Sequence, residues 1–89
     1  MAKRNRIDII EDILTSIKNK GRIRPTHVMY KSNLSHRQMK SYLEELLEKN
    51  FIRKVEGKSN NNYLTITETG IKFLEKIREM KEFEEAFGL

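Results

Sequence analysis

The residues best suited to binding chemistry lie in a short polar run near the middle of the chain. It reads Ser35-His36-Arg37-Gln38, and Lys40 and Ser41 follow within the next turn. A guanidinium can pair with guanine through two hydrogen bonds and a primary amide with adenine, while lysine and serine suit phosphate or base contacts. These residue types predict contacts to duplex DNA. Arg37 is the best candidate to read a base, and His36 is rated lower.

Two other stretches carry positive or hydrogen-bonding side chains that suit phosphate. A polar, turn-rich segment at 57–62 lies beside basic residues, and the contacts predicted from this region are Arg53, Lys54, Lys58, Asn60, Asn61 and Asn62. The basic start of the chain predicts an arm that touches phosphate or a minor groove through Lys3, Arg4 and Arg6. The plainer alternatives are a solvated flexible turn and an arm without fixed structure.

The sequence offers no arrangement of residues for catalysis or metal binding. It contains no cysteine, and its two histidines, His27 and His36, have no partner at a spacing typical of zinc ligands. The four glycines are scattered rather than gathered in a phosphate-binding loop, and no hydroxyl nucleophile stands beside a base. We therefore expect no catalytic residues, no enzymatic activity, no cofactor and no metal.

Positive charge is concentrated in the first three quarters of the chain. The net charge is +5, yet basic residues outnumber acidic ones only as far as Thr67, and beyond it the balance is slightly acidic. This favours a polyanion-binding domain whose last helix faces away from the polyanion, although ordinary surface charge is the alternative. The basic start leads into no apolar leader, and no apolar run could span a bilayer, so we expect a cytoplasmic, nucleoid-associated protein.

The spacing of apolar residues and the capping residues divide the chain into the elements that position these side chains. Ser35 and Gln38 match a capping box ahead of an apolar stripe, so a helix is predicted to begin there. Gly21 suits the end of the first helix, and Pro25 suits the start of the second. The predicted order is helix 6–20, short strand 22–24, helix 26–31, helix 35–50, strands 51–56 and 63–67, and helix 68–87.

A tight helix–turn–helix followed by a hairpin is the winged-helix plan, in which one helix enters the major groove and the hairpin lies along the backbone. We therefore predict an α+β winged helix-turn-helix over residues 1–89, forming one domain with an extended C-terminal helix. In the third predicted helix the basic residues occupy the first two turns, and Glu44, Glu45 and Glu48 occupy the last two. Only the N-terminal half is expected to face DNA, and a solvated face with i,i+4 pairs is the alternative.

The last predicted helix, 68–88, is longer than a small winged helix needs to cover its own core. Twenty residues make a helix of about 30 Å. Apolar side chains recur along it, and from Met80 onward they would be exposed without a partner helix. A second copy across a two-fold axis is the simplest partner, and a tail that folds back or frays is the alternative. The predicted dimer residues are Phe73, Ile77, Met80, Phe83 and Phe87.

Several segments together resemble the small archaeal winged-helix DNA-binding proteins. They are Pro25 to Tyr30, Asn33-Leu34-Ser35, Tyr42-Leu43, Leu46-Leu47 and Tyr63 to Gly70. The resemblance extends over residues 6–77, to proteins of the Sulfolobus ten-a chromatin type and to archaeal winged-helix transcriptional regulators. It implies a DNA-binding winged helix that dimerises through its C-terminal helix as an antiparallel coiled coil. The tail here is shorter than a long coiled coil requires.

Three functions are consistent with these features. The first is a homodimeric transcriptional regulator, and the second is a chromatin architectural protein of low sequence specificity. The third is a winged helix that serves as a protein–protein module in a larger complex, against which the basic residues of the third helix and the hairpin argue. RNA is a poorer ligand than DNA, because the major groove of an A-form helix does not admit a protein helix.

Overall fold

The computed structural model describes residues 4–89, apart from the side chain of Asn60. Its elements are α1 (Arg6–Lys20), α2 (Pro25–Lys31), α3 (His36–Glu48), β1 (Ile52–Glu56), a 3₁₀ turn (Lys58–Asn60), β2 (Asn62–Ile66) and α4 (Glu68–Ala86). The helices α2 and α3 form the helix-turn-helix, and β1 and β2 form the wing. The predicted α+β winged helix-turn-helix is thereby confirmed.

Local capping chemistry sets the ends of the helices. The Ser35 hydroxyl accepts a hydrogen bond from the Gln38 backbone N–H at 3.2 Å, and the Ser35 N–H donates to Gln38 Oε1 at 3.1 Å, so the predicted capping box is confirmed. The helix α1 ends at Gly21, whose φ of 77° lies in the left-handed region that glycine adopts without strain. Asn33, with a φ of 53°, makes the turn between α2 and α3.

The predicted strand at 22–24 is reduced to one residue. Ile23 alone pairs with β2, donating to the Leu64 carbonyl at 3.0 Å and accepting from the Leu64 N–H at 2.8 Å. The prediction of a strand was wrong because Arg24 already serves as the N-cap of α2, and Pro25 has no N–H for a ladder. The sheet therefore consists of the antiparallel hairpin, in which Ile52 pairs with Ile66 and Val55 with Tyr63.

The core draws apolar side chains from every helix, from both strands and from the segments between α1 and α3. At its centre lies α1, whose Ile13, Leu14 and Ile17 are fully buried. The remaining buried members are Ile10, Ile23, Val28, Leu34, Met39, Leu43, Leu46, Ile52, Leu64, Leu74 and Ile77. Because α3 directs Met39, Leu43 and Leu46 inward, its polar side chains point to solvent.

The start of α4 is fastened to the base of the hairpin, a contact that we name the α4 anchor and that comprises Asn50, Phe51, Thr67, Gly70 and Phe73. The Thr67 hydroxyl donates to the Asn50 carbonyl at 2.7 Å and accepts from the Gly70 N–H at 3.0 Å, while the Thr67 N–H donates to the Phe51 carbonyl at 3.0 Å. The rings of Phe51 and Phe73 stack with centroids 4.4 Å apart. The wing and the last helix are thus joined by several independent contacts.

Ion pairs hold the far part of α4 against α1. Lys81 binds the carboxylates of both Asp8 and Glu11, and Arg78 lies 3.7 Å from Glu11 and donates to the Thr15 hydroxyl at 3.2 Å. The hydrogen bond from Lys81, and then the one from the Asn5 backbone, lowers the pKa of Asp8. The hydrogen bonds to Asp8 and Glu11 raise the pKa of Lys81. The two helices are therefore joined by charge as well as by apolar packing.

Substituting Lys81→Met is expected to lower the Tm by about 2–4 °C near neutral pH. Because the folded-state pKa of Asp8 lies below its ordinary value of 3.8, the ionised carboxylate contributes stability above that pH. This contribution is lost as the pH falls through the lower folded-state pKa. Thermal unfolding followed by circular dichroism should therefore show the difference between wild type and variant shrinking toward about pH 3.

Lys76→Met is the matched control for this prediction, because the Lys76 ammonium is 3.2 Å from Glu79 of the same helix and joins no second element. We expect it to change the Tm by less than Lys81→Met does. An equal loss of Tm for Lys81→Met at neutral and acidic pH would contradict an electrostatic origin and leave only lost packing of the lysine stem.

Candidate nucleic-acid interface

The first two turns of α3 present the predicted polar residues to solvent. His36, Arg37, Lys40 and Ser41 are all exposed. Arg37 and Ser41 lie opposite the buried apolar stripe of the helix, whereas Lys40 flanks that stripe and His36 lies near its edge. Gln38 is exposed too, but its Oε1 is already bonded to the Ser35 N–H. An amide reads adenine through its oxygen and nitrogen together, so Gln38 would have to share or release its capping-box hydrogen bond to make both contacts.

A recess of about 360 Å³ separates α3 from the wing. Its apolar lining includes Met39, Leu43 and Leu64, and the ammonium-bearing side chains of Lys40 and Lys54 line it from α3 and from β1 respectively. The Glu44 carboxylate of α3 also lines the recess, one turn beyond Lys40. The helix and the strand therefore contribute positive charge to one continuous surface. We name this the helix–wing surface, comprising His36, Arg37, Lys40, Ser41 and Lys54.

The hairpin places the predicted DNA contacts of the wing on different faces of the sheet and at its tip. Successive side chains of a strand point to opposite faces, so Lys54 faces the recess beside α3 while Arg53 lies on the outer face of the sheet. At the tip, Lys58 and Asn62 are exposed and Asn61 is half-buried, with its carbonyl accepting from the Gly57 N–H at 2.7 Å. The side chain of Asn60 lies outside the described part of the structure.

The predicted basic arm is bound to the protein where the structure describes it. Arg4 lies 2.9 Å from Asp12 and also donates to the Asn33 carbonyl at 3.2 Å, whereas Arg6 begins α1 and binds Glu45. The hydrogen bond from Arg6 lowers the pKa of Glu45. Arg4 and Arg6 are thus not a free extended arm, because carboxylates of the same chain hold both guanidinium groups. Lys3 lies outside the described residues.

Ion pairs are distributed unevenly over residues 4–89. They join the N-terminal segment, α1, one carboxylate of α3 and α4. By contrast, no lysine or arginine between residues 18 and 58 has a carboxylate oxygen within 4.0 Å. The helix–wing surface belongs to this uncompensated region, so its positive charge is available to an external anion.

A second group of basic residues in this region was missed in the sequence. The guanidinium carbons of Arg22 and Arg24 lie 5.0 and 5.8 Å from the centre of the Tyr63 ring, and Lys20 and His27 join them around a recess of about 300 Å³. We name these five residues the Arg22–Tyr63 cluster. The alternation Arg22-Ile23-Arg24 was the available signal, because it places both arginines opposite buried Ile23. Their partner Tyr63 is forty residues away and gives no local signal.

The end of α4 exposes a row of large apolar side chains. Met80, Phe83 and Phe87 are 46%, 59% and 70% exposed, and Leu89, which was not predicted, is 82% exposed. The rings of Phe83 and Phe87 are 4.6 Å apart. The other two predicted dimer residues belong to the interior of the chain, because Ile77 is 3% exposed in the core and half-buried Phe73 stacks on Phe51. The candidate dimer face therefore begins at Met80.

Residues 4–89 contain neither a candidate metal-binding group nor a membrane-spanning helix. Within this range, no three or more histidine, aspartate or glutamate side chains come together in a group that could hold a metal ion. None of the helices in the same range has both the length and the apolar character needed to cross a membrane.

The chain belongs to the winged helix-turn-helix family, whose model matches residues 3–85. It is also 40% identical over 78 residues to the uncharacterized protein MJ0290 of Methanocaldococcus jannaschii. That match covers 88% of this chain but 34% of MJ0290, so the chain spans about a third of this relative. The family and the archaeal relative bear out the resemblance that the sequence motifs carry.

Two solved structures from Sulfolobus solfataricus share the fold. Sso10a-2, a DNA-binding protein, superposes with a TM-score of 0.80 at 21% identity, covering 94% of this chain and 85% of its own. BldR, a transcriptional regulator, gives a TM-score of 0.74 at 13% identity, covering 90% and 60%. At such identities the likeness shows a common winged-helix fold.

Proposed function

We propose that the protein is a homodimeric transcriptional regulator that binds double-stranded DNA, with α3 in the major groove and the hairpin tip, residues 57–62, on the backbone. The single observation that carries this proposal is the uncompensated positive charge of the helix–wing surface. DNA binding by Sso10a-2 and regulation by BldR support it. We further propose that residues 1–89 form one domain, that 68–88 is its dimerisation helix, and that the protein is cytoplasmic and nucleoid-associated.

The polarity of α3 supports an approach to DNA through its N-terminal half. Arg37 and Lys40 lie in the first two turns, whereas exposed Glu44 and Glu48 occupy the last two. Those carboxylates would repel phosphate if the whole helix lay along the groove. If only the first turns of α3 enter the major groove, the basic residues approach the phosphates and the carboxylates of the last turns stay away from them.

The exposed apolar end of α4 supports the dimer. Met80, Phe83 and Phe87 follow an i, i+3, i+7 spacing, so they share one face of the helix. A second copy of the same face would remove these side chains from water across a two-fold axis. Such a dimer suits two half-sites about 34 Å apart.

One observation favours a second candidate, an archaeal chromatin architectural protein of low sequence specificity. The capping box engages the Gln38 amide oxygen, so Arg37 is left as the strongest base-reading group of α3. A surface with one base-reading arginine and several lysines makes more contacts to the DNA backbone than to base edges, so it gives affinity with little sequence specificity. Binding-site selection from a random DNA pool separates the two, because a regulator enriches a motif and an architectural protein enriches none.

A salt titration of DNA affinity tests whether the protein binds DNA through contacts to phosphate. A surface that neutralises about six phosphates should lose roughly 10³-fold in affinity between about 50 and 200 mM salt. Fluorescence anisotropy with a labelled duplex measures this loss. Absence of binding even at low salt would overturn both DNA-binding functions and leave the third possibility, a protein–protein module in a larger complex.

Arg37→Ala is expected to cost about 1–3 kcal/mol on the preferred sequence and to relax the preference at one base pair. Lys58→Ala, by contrast, should weaken all sequences alike and reduce the salt slope by about 1 for each bound protomer. Anisotropy with preferred and scrambled duplexes measures both effects. Lys72→Ala removes the same charge from α4 beside Glu68 and serves as control, with little change expected. An equal loss on every duplex for Arg37→Ala would favour the architectural protein.

A further inference from the structure

We propose that the Arg22–Tyr63 cluster is a phosphate-binding site distinct from the helix–wing surface, and that its ligand is the backbone of duplex DNA outside the stretch contacted by α3. This inference rests on the proposed DNA-binding function and extends it to the opposite face of the wing. Arg22 and Arg24 flank Ile23, whose two backbone hydrogen bonds to Leu64 fix the segment against β2. Both arginines are therefore placed over Tyr63 by a rigid piece of backbone.

The guanidinium groups of the cluster are positioned but have donors to spare. A guanidinium that packs over an aromatic ring uses its face, so the N–H groups around its edge remain able to bind phosphate. Neither Arg22 nor Arg24 donates a side-chain hydrogen bond to any residue that the structure describes. Neither has a carboxylate within 4.0 Å in the same range. Holding the side chains in place reduces the entropy that binding would otherwise cost.

The arrangement of charge favours a polymer over a small phosphorylated molecule. The recess is an open depression, and Arg22 and Arg24 already lie over the Tyr63 ring, so a nucleotide base would have to compete with both guanidinium groups for that ring. The hairpin register places Arg53 opposite Thr65 on the same outer face as Tyr63. Lys20 lines the recess, and Arg53 adds positive charge to the same outer face of the sheet. A row of cations matches the repeated charges of a backbone.

The double variant Arg22→Ala/Arg24→Ala tests the assignment in the intact chain. Both side chains are exposed, so the fold should survive, and thermal unfolding verifies this. The expected result is a salt slope lower by about 1.8 for each bound protomer in log affinity against log salt, with the selected DNA sequence unchanged. Arg22→Gln/Arg24→Gln keeps more of the side-chain volume and gives the same reading if the alanine variant is unstable.

The matched control is Lys72→Ala/Lys76→Ala, which removes two charges from α4, where each lies within 4.0 Å of a carboxylate. Its slope should equal that of the wild type. If Arg22→Ala/Arg24→Ala behaves like this control while the wild type binds DNA, the second site is refuted and the proposed function stands. If the wild type binds no DNA, the proposed function itself fails.

A soluble phosphate compound is the other source of the same ligand chemistry. Titration of the wild type with inorganic phosphate and with ATP, followed by the NMR signals of the Arg22 and Arg24 side chains, distinguishes the sources. We expect weak, non-saturating shifts with either compound and saturating shifts with a duplex longer than the α3 contact. Tight saturation by ATP, with no response to the duplex, would overturn the assignment to DNA.

Discussion

Replacing Phe83 and Phe87 together by glutamate is expected to leave a folded monomer that binds a DNA with two half-sites about 10²- to 10⁴-fold more weakly than the wild type. The two side chains are 59% and 70% exposed in one chain, so they contribute little to its own core. Carboxylates in their place would face each other across the two-fold axis and repel. Loss of the dimer removes the gain in affinity that comes from linking two binding surfaces.

Sedimentation at micromolar concentration measures the first half of this expectation. The wild type should have about twice the 10.6 kDa mass of the chain, and the variant should have the mass of one chain. A duplex with a single half-site is the internal control, because wild type and variant should bind it with similar affinity per protomer. A wild type that sediments as a monomer would reject the dimer and the affinity difference with it.

Substituting Gly70→Ala is expected to lower the free energy of unfolding by about 2–4 kcal/mol and the Tm by roughly 10–20 °C. In an unconstrained helix the same change would stabilise by up to about 1 kcal/mol, because alanine is the better helix former. Here a Cβ would lie 2.0 Å from the Phe51 carbonyl oxygen and 2.9 Å from an Ile66 side-chain carbon. The oxygen belongs to the backbone and cannot rotate away, so the first turn of α4 must move off the hairpin.

Urea and thermal unfolding of Gly70→Ala measure the loss. Gly88→Ala is the control, because an added Cβ there meets no atom within 4 Å and the residue follows the last turn of α4. Its φ of 70° lies in the left-handed region, so this control is expected to show a small loss from backbone strain alone, well below that of Gly70→Ala. A Gly70→Ala protein as stable as the wild type would show that the α4 anchor yields easily and that the hairpin and α4 are not rigidly joined.

The fold was predictable where short-range chemistry decides it. The capping box at Ser35 and Gln38, the stop at Gly21 and the apolar period of α1 each depend on residues within one or two turns, and the helices begin and end where these features place them. The strand at 22–24 shows the boundary of this approach. The strand is short because Arg24 is the N-cap of α2 and so cannot also extend the strand. The alternation of polar and apolar residues at 22–24 does not show this.

The candidate site was predictable as a face but not as a set of contacts. The outward side of α3 follows from its apolar stripe, so the exposure of Arg37 and Lys40 could be predicted from the sequence alone. Which cations remain uncompensated depends on partners far along the chain, as with Arg6 and Glu45, 39 residues apart. The division of Arg53 from Lys54 depends on the hairpin register, and the cluster over Tyr63 depends on a bridge between Ile23 and Leu64.

The helix α4 is secured at two places, at its start by the α4 anchor and three turns later by Lys81. Because α4 is attached at two places, it cannot rotate relative to the rest of the domain, and its direction is fixed. In a dimer joined beyond Met80, the distance and the angle between the two α3 helices would then be nearly constant. Such a dimer can bind two half-sites only when both lie on the same side of the duplex. An insertion of about five base pairs, half a turn, would place the second half-site on the far side of the duplex.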